Sequence, residues 1–265
     1  MQTSPAEEAY DHEVRRALLL AAVGGCGFEH GQFVGDARPD VDAAIDAEVD
    51  AAEPPFCPAD AHLRLCFSFD QTPFTPTLAN EGAANISAML TNVMRIPVGT
   101  GSGGAAQLDA TSEIFVPYTA EVSAIRTIEI WLRYDAEPTT NGGRMGLVDS
   151  NVIPPNISLF MYRADPTHQL RCGLGSATAT WDATLAPNTW QKLSCVCDGG
   201  DLKMFVNGTM VGDTAGDCAA GGAFVNNGFV IGANNNGGPT GINEQLLGAV
   251  DGLRLWDTPM LPSQP

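Results

Sequence analysis

From residue 61 onward, apolar and polar residues alternate with period two in short runs, the pattern of strands that bury one face. HLRLCFSFD (62–70) sets Leu63, Leu65, Phe67 and Phe69 against Arg64, Cys66, Ser68 and Asp70. TIEIWLRY (127–134) sets Ile128, Ile130, Leu132 and Tyr134 against Thr127, Glu129, Trp131 and Arg133. The same reading predicts strands at 105–109, 112–116, 144–149, 156–163, 168–174, 189–197, 201–207, 209–212, 228–232 and 246–256. Asp198-Gly199-Gly200 and Asn207-Gly208 predict hairpin turns between neighbouring strands. Amphipathic helical runs are scarce, and 29 Gly and 18 Pro supply turns for an antiparallel all-β fold.

The first sixty residues break this pattern. Arg15 and Arg16 precede the apolar run ALLLAAVGG (17–25), which ends at Cys26. A basic start, an apolar stretch and small residues before the cysteine define a secretory signal, and nine apolar residues are too few for a permanent membrane span. A short buried helix is the alternative. Val23-Gly24-Gly25-Cys26 resembles the bacterial lipobox, which implies cleavage before Cys26 and lipidation of its thiol. The acidic stretch ahead of Arg15 does not suit such a signal, so the expected start is Val14, read from an alternative start codon. Gly27 stands where an Asp marks inner-membrane retention in proteobacterial lipoproteins, which implies the outer membrane or cell surface.

Residues 36–60 carry eight acids and one base in an Asp/Ala/Pro context. Such a segment buries too little apolar area to fold and repels itself into an extended form, although 40–53 as a short helix is the alternative. The expected organisation is a signal region at 1–26, a tether at 27–60 and a folded domain at 61–265.

Several stretches resemble the laminin-G-like, concanavalin A-like jelly roll in its bacterial extracellular form. They are FSFD (67–70), GGAAQLDATSEIFVP (103–117), TIEIWLRYDAEP (127–138), NTWQKLSCVCDGGDLKMFVNGTMVGD (188–213), FVIGANN (229–235) and GAVDGLRLWDTPML (248–261). The resemblance covers nearly all of 61–261 and implies a two-sheet antiparallel sandwich. This fold hosts many roles, so function must be argued from sites.

Seven cysteines without a CxxC pair, and only four histidines, do not suit zinc. The odd count leaves one special thiol, Cys26, and six for bridges. Cys195 and Cys197 lie two apart on one strand and face the same way, so each needs a partner on another strand. The pairing expected within this fold is Cys57–Cys66, Cys172–Cys195 and Cys197–Cys218, one of fifteen that six cysteines allow. Free buried thiols are the alternative. Disulfides imply an oxidising, extracytoplasmic compartment.

The net charge of −18 provides no basic stripe for nucleic acid. The resemblance raises glycoside hydrolysis, whose carboxylates commonly lie on one strand of this fold as Glu-x-Asp-x-x-Glu. That motif is absent, since Glu129 is followed by Trp131 at +2 and Arg133 at +4, and no Gly-x-Ser-x-Gly elbow exists. Calcium is the expected cofactor, with Asp70, Asp251 and Asp149 as candidate ligands, since the ion takes carboxylate and carbonyl oxygens. Asp251 is in phase with Leu253 and Leu255. The alternative is that Asp70 and Asp251 accept hydrogen bonds from turn amides.

ANNNGGPTGINE (233–244) presents Asn234, Asn235 and Asn236, amides suited to sugar hydroxyls, or is simply a long connection. Trp181 is the candidate stacking platform, while Trp190 and Trp256 fall in strand patterns expected to be core. The expected function is a non-catalytic binding or adhesion module for glycans or proteins, touching the membrane only through its lipid. A glycoside hydrolase of the same fold and a purely structural envelope component are the alternatives.

Overall fold

The computed structural model describes residues 55–262, except 73, 75, 98, 101–102, 141, 152–155, 219–227 and 237–241. Val14, Cys26 and the tether up to residue 54 lie outside the described residues.

The chain runs through β1 (Leu63–Phe67), β2 (Thr77–Ala79), β3 (Ser87–Thr91), β4 (Met94–Ile96), β5 (Ala105–Leu108), β6 (Glu113–Pro117), β7 (Thr127–Tyr134), β8 (Arg144–Asp149) and β9 (Asn156–Ala164). It continues through β10 (Thr167–Gly175), β11 (Ala177–Ala183), β12 (Gln191–Asp198), β13 (Asp201–Val206), β14 (Thr209–Ala215), β15 (Gly228–Ile231), β16 (Asn234–Asn235), β17 (Ile242–Asn243) and β18 (Gly248–Trp256).

The first sheet has the order β14-β13-β12-β7-β18-β5-β4, with β1 also paired to β18. The second has the order β11-β10-β9-β8-β15-β6-β3-β2. All their pairings are antiparallel, and β16 and β17 form a small ribbon of their own. The alternating apolar residues of both sheets meet in one core, including Leu65, Phe67, Ile128, Ile130, Leu132, Leu159, Met161, Leu170 and Leu255. This is the packing that binary patterning dictates, one face of each sheet being apolar.

The two expected hairpins form. Gly199 and Gly200 (φ 63° and 99°) join β12 to β13, and Asn207 and Gly208 (φ 49° and 81°) join β13 to β14. Positive φ at both central residues is what a two-residue hairpin turn requires, and Asn and Gly tolerate it best.

Strands β2, β3, β4 and β11 lie outside the runs that alternation predicts. β2 and β4 are three residues long and β11 is a sheet edge. The β11 sequence ATATWDA alternates alanine with threonine, too small a contrast to read as amphipathic.

Disulfides join Cys57 to Cys66, Cys172 to Cys195 and Cys197 to Cys218. The Cys172–Cys195 bridge runs through the core and ties β10 of one sheet to β12 of the other. Cys57–Cys66 pins residues 55–60, the end of the expected tether, onto the first sheet. There Phe56 and Cys57 pack on a small outer cluster of Leu63, Cys66 and Trp256.

Candidate ligand face

The outer face of the second sheet is built by register. Directly opposed residues on antiparallel strands share a face, so rows can be read across β8, β9, β10 and β11. One row is Arg144, Tyr162, Gln169 and Asp182. The next is Gly146, Phe160, Arg171 and Thr180. The third is Asp149, Ser158, Gly173 and Thr178. Cys172, between Arg171 and Gly173, points into the core and fixes this face as the outward one.

Tyr162 is the aromatic centre of the face and is half-buried. Its hydroxyl accepts from Arg144 Nη1 at 3.4 Å and from Arg171 Nη1 at 3.5 Å. With both lone pairs directed to guanidinium groups, the phenol keeps its own O–H to donate. Arg144 also donates to Glu244 Oε2 at 2.5 Å and lies over Phe160 at 5.0 Å and Tyr162 at 6.0 Å. Gln169 donates to Asp182 at 3.1 Å, and Thr178 and Thr180 are exposed.

The Asn-rich segment borders this face above β8. Gly146 carries no Cβ, and one there would collide with the backbone of Ala233 and Asn234, so the glycine permits the close approach. Gly146 N donates to Glu244 O at 2.8 Å, which fixes the return of the segment. Asp149 anchors it from below. Its Oδ1 accepts from Asn151 N at 3.0 Å and its Oδ2 from Asn235 N at 2.8 Å. Burial pushes this carboxyl up to about 6, against the two amides and the nearby charges of Arg144 and Arg171.

Each residue singled out from the sequence has a definite place. Asn234 and Asn235 are buried, Asn234 donating to Asn243 Oδ1 at 2.7 Å and to Asn236 Oδ1 at 3.1 Å. Asn236 is exposed. Trp181 is half-buried at the sandwich edge and lies over Gly212 of β14, where any Cβ would meet its indole. Alternation alone marks Arg144, Tyr162 and Arg171 as solvent-facing positions, and only the register brings them together.

Asp70 and Asp251 meet at a fork in the first sheet. β18 pairs with β5 through Gly248–Val250 and with β1 through Leu253–Trp256. A bulge falls between Val250 and Gly252. It shifts the phase, so Val250 and Leu253 both face the core and Asp251 is the extra residue. Its Oδ2 accepts from the backbone N–H and hydroxyl of Thr100.

Asp70 follows Phe69, held at φ 58°, and its Oδ1 accepts from Gly104 N at 2.7 Å. Gly99 and Gly103 bring the backbone of this loop so close that a Cβ at either would strike one of the carboxylates. Burial first, and then the charge of Asp70, raise the Asp251 carboxyl above its usual range. Asp149 lies on the other sheet. Among the described residues no group of three or more His, Cys, Asp or Glu is placed to hold a metal.

The outer face of the first sheet is closed by comparison. Glu129 is buried, accepting from Arg254 at 3.0 Å and lying 3.5 Å from Lys192. Arg254 sits 4.0 Å from the Phe56 ring and 4.9 Å from Trp131. Phe56 occupies the space that a side chain at Gly252 would take.

This architecture is a lectin-like jelly-roll sandwich. The chain belongs to the concanavalin A-like lectin/glucanases superfamily, whose Laminin_G_3 model matches residues 101–264. No curated protein sequence matches it. Among solved structures it is similar to domain 4 of AbnA, a GH43 extracellular arabinanase from Geobacillus stearothermophilus, in complex with arabinotriose. That match has 20% identity and a TM-score of 0.53, and covers 77% of this chain and 97% of that one.

It is also similar to the binding domain of botulinum neurotoxin DC in complex with SialylT. There the identity is 11% and the TM-score 0.54, with 75% of this chain and 48% of that one covered. Sialidase from Trypanosoma rangeli in complex with sialic acid matches at 12% identity and a TM-score of 0.54, over 77% and 32% of the two chains. The chain thus spans about half of the toxin binding domain and about a third of the sialidase. At these identities the likeness is one of fold.

Proposed function

We propose that this protein is a non-catalytic, extracytoplasmic glycan-binding module whose ligand lies on the outer face of β8–β11. The observation that carries this reading is the row structure of that face. A partly exposed tyrosine ring is surrounded by Arg144, Arg171, Gln169 and Thr180, groups that offer hydrogen bonds at the spacing of neighbouring strands. Sugars are held by such pairings of a ring with nearby polar side chains on a rigid scaffold. The similar arabinanase domain was solved with arabinotriose bound, which supports a sugar ligand for this fold.

A non-catalytic role is supported by the state of the carboxylates. Glycoside hydrolysis needs two carboxyl groups facing one another across a substrate. Glu129 is engaged by two cations, and Asp149 accepts two backbone amides and is fully buried. Three disulfides fit an oxidising compartment, and lipidation at Cys26 would display the domain from an envelope surface. A calcium ion at Asp70 and Asp251 belongs to the same proposal. The carboxylates and the Thr100 hydroxyl are hard oxygen donors of the kind this ion takes.

The test is a glycan array probed with the full chain, followed by product analysis on every glycan retained. Retention without cleavage is expected. Cleavage of a retained glycan would replace this reading with the hydrolase, and no retention would overturn it.

A further inference from the structure

We infer that the ligand carries an anionic group, a carboxylate or a sulfate, and that Arg171 is the residue that receives it. The inference rests on the second-sheet face being the ligand face.

The argument begins with the two arginines of that face. They share Tyr162, and the charge of each acts on the Asp149 carboxyl, but they differ in their direct partners. Arg144 has its counter-ion in Glu244 and its apolar cover in Phe160. Arg171 is half-buried in the centre of β10, and its hydrogen bond is the 3.5 Å contact to the Tyr162 hydroxyl. Among the described residues no carboxylate lies within ion-pair distance of it. The Asp149 carboxyl acts on it only at a distance, its two oxygens accepting the backbone amides of Asn151 and Asn235, and withdrawing a guanidinium from water without a direct ion pair is costly. In a chain of net charge −18, acidic side chains are plentiful. Yet the cross-strand neighbours of Arg171 are Phe160 and Thr180, neither of them acidic.

The two hydroxyls beside Arg171 have the same polarity. The Tyr162 hydroxyl accepts from both arginines and keeps its proton to donate. Thr180, opposite Arg171, is exposed and free to orient its hydroxyl. The spot therefore presents two guanidinium N–H edges and two hydroxyl protons. That is a donor set for an acceptor-only group, and a carboxylate or sulfate has oxygens enough to meet it. Arginine pairs with such groups through two parallel bonds, which a neutral hydroxyl cannot reproduce. Asp182 lies in the neighbouring row, tied to Gln169, and sets a repulsive edge that would orient the anion toward Arg171.

The experiment compares lactose, sialyllactose and sulfated lactose on the full chain, with Arg171→Gln and Arg171→Lys beside it. Retention of either acidic form over lactose is expected, and which of the two is retained identifies the anion. Arg171→Gln should lower that retention about tenfold or more, Arg171→Lys should restore part of it, and added salt should weaken it. If lactose or other neutral glycans are retained equally well and Arg171→Gln changes nothing, the anionic assignment falls while the glycan-binding reading stands. If no glycan is retained on any array, both fall together.

Discussion

The two outer faces of the sandwich use the same residue types for opposite ends. On the first sheet, Arg254 is enclosed by Phe56, Trp131 and Glu129, and a disulfide at Cys57 staples the covering segment in place. Burial lowers that guanidinium below its usual value, and Glu129 pulls against the shift. On the second sheet, Arg171 and Tyr162 have the same chemistry with incomplete partners and part of their surface in water. Cations and rings on a sheet therefore do not mark a binding face by themselves. What separates the two is whether the protein has already supplied the ring, the anion and the cover.

The largest way to break this comparison is to release the staple. Cys57→Ser with Cys66→Ser should cost about 2–4 kcal/mol in denaturant unfolding while leaving glycan retention intact. Loss of retention without loss of folding would mean that the covered face is the functional one.

Asp149→Asn should cost less, about 2 kcal/mol, because the amide offers one acceptor where two backbone N–H groups need two. This effect depends on pH. The Asp149 carboxyl titrates near 6 in the folded protein and near 3.8 unfolded, so its favourable contribution is full below 3.8 and is lost as pH rises through about 6. The stability gap between the wild type and Asp149→Asn should therefore be wider at pH 4 than at pH 8. A gap that widens toward alkaline pH would contradict the desolvated placement of Asp149. The smallest effect is expected from calcium, which should stabilise the wild type by about 1 kcal/mol and Asp251→Asn not at all, with second-sheet binding unchanged. A chelator that leaves the melting temperature of the wild type unmoved would remove calcium from the account.

Much of the fold can be read from alternation because each strand has one wet face and one dry one. Leu63, Leu65 and Phe67 announce β1, and Asn207-Gly208 announces a turn that few other pairs could make. The phase of β18 cannot be read this way, since the bulge at Asp251 shows itself only in the register of β18 on β7. The candidate ligand face is less legible still. Arg144, Tyr162 and Arg171 stand on three strands, and each alone is an ordinary outward residue. Cross-strand register joins them, and register is a property of pairing rather than of any one segment. The signal available was modest: FMYR (160–163) and QLRC (169–172) each place a large polar or aromatic residue at an outward position. The asparagines at 234 and 235 read as surface amides in the sequence, but loops also use such groups to satisfy backbone, as Asn235 Nδ2 does in donating to Gly228 O at 3.4 Å.

The central claim, that the second sheet presents the ligand face and the first does not, is tested most directly by two single variants measured side by side. Tyr162→Ala and Trp131→Ala each remove one aromatic ring from one outer face, and circular dichroism would establish that both remain folded. The expected result is that Tyr162→Ala abolishes retention of the bound glycan while Trp131→Ala leaves it unchanged. Retention that survives Tyr162→Ala and disappears in Trp131→Ala would contradict it.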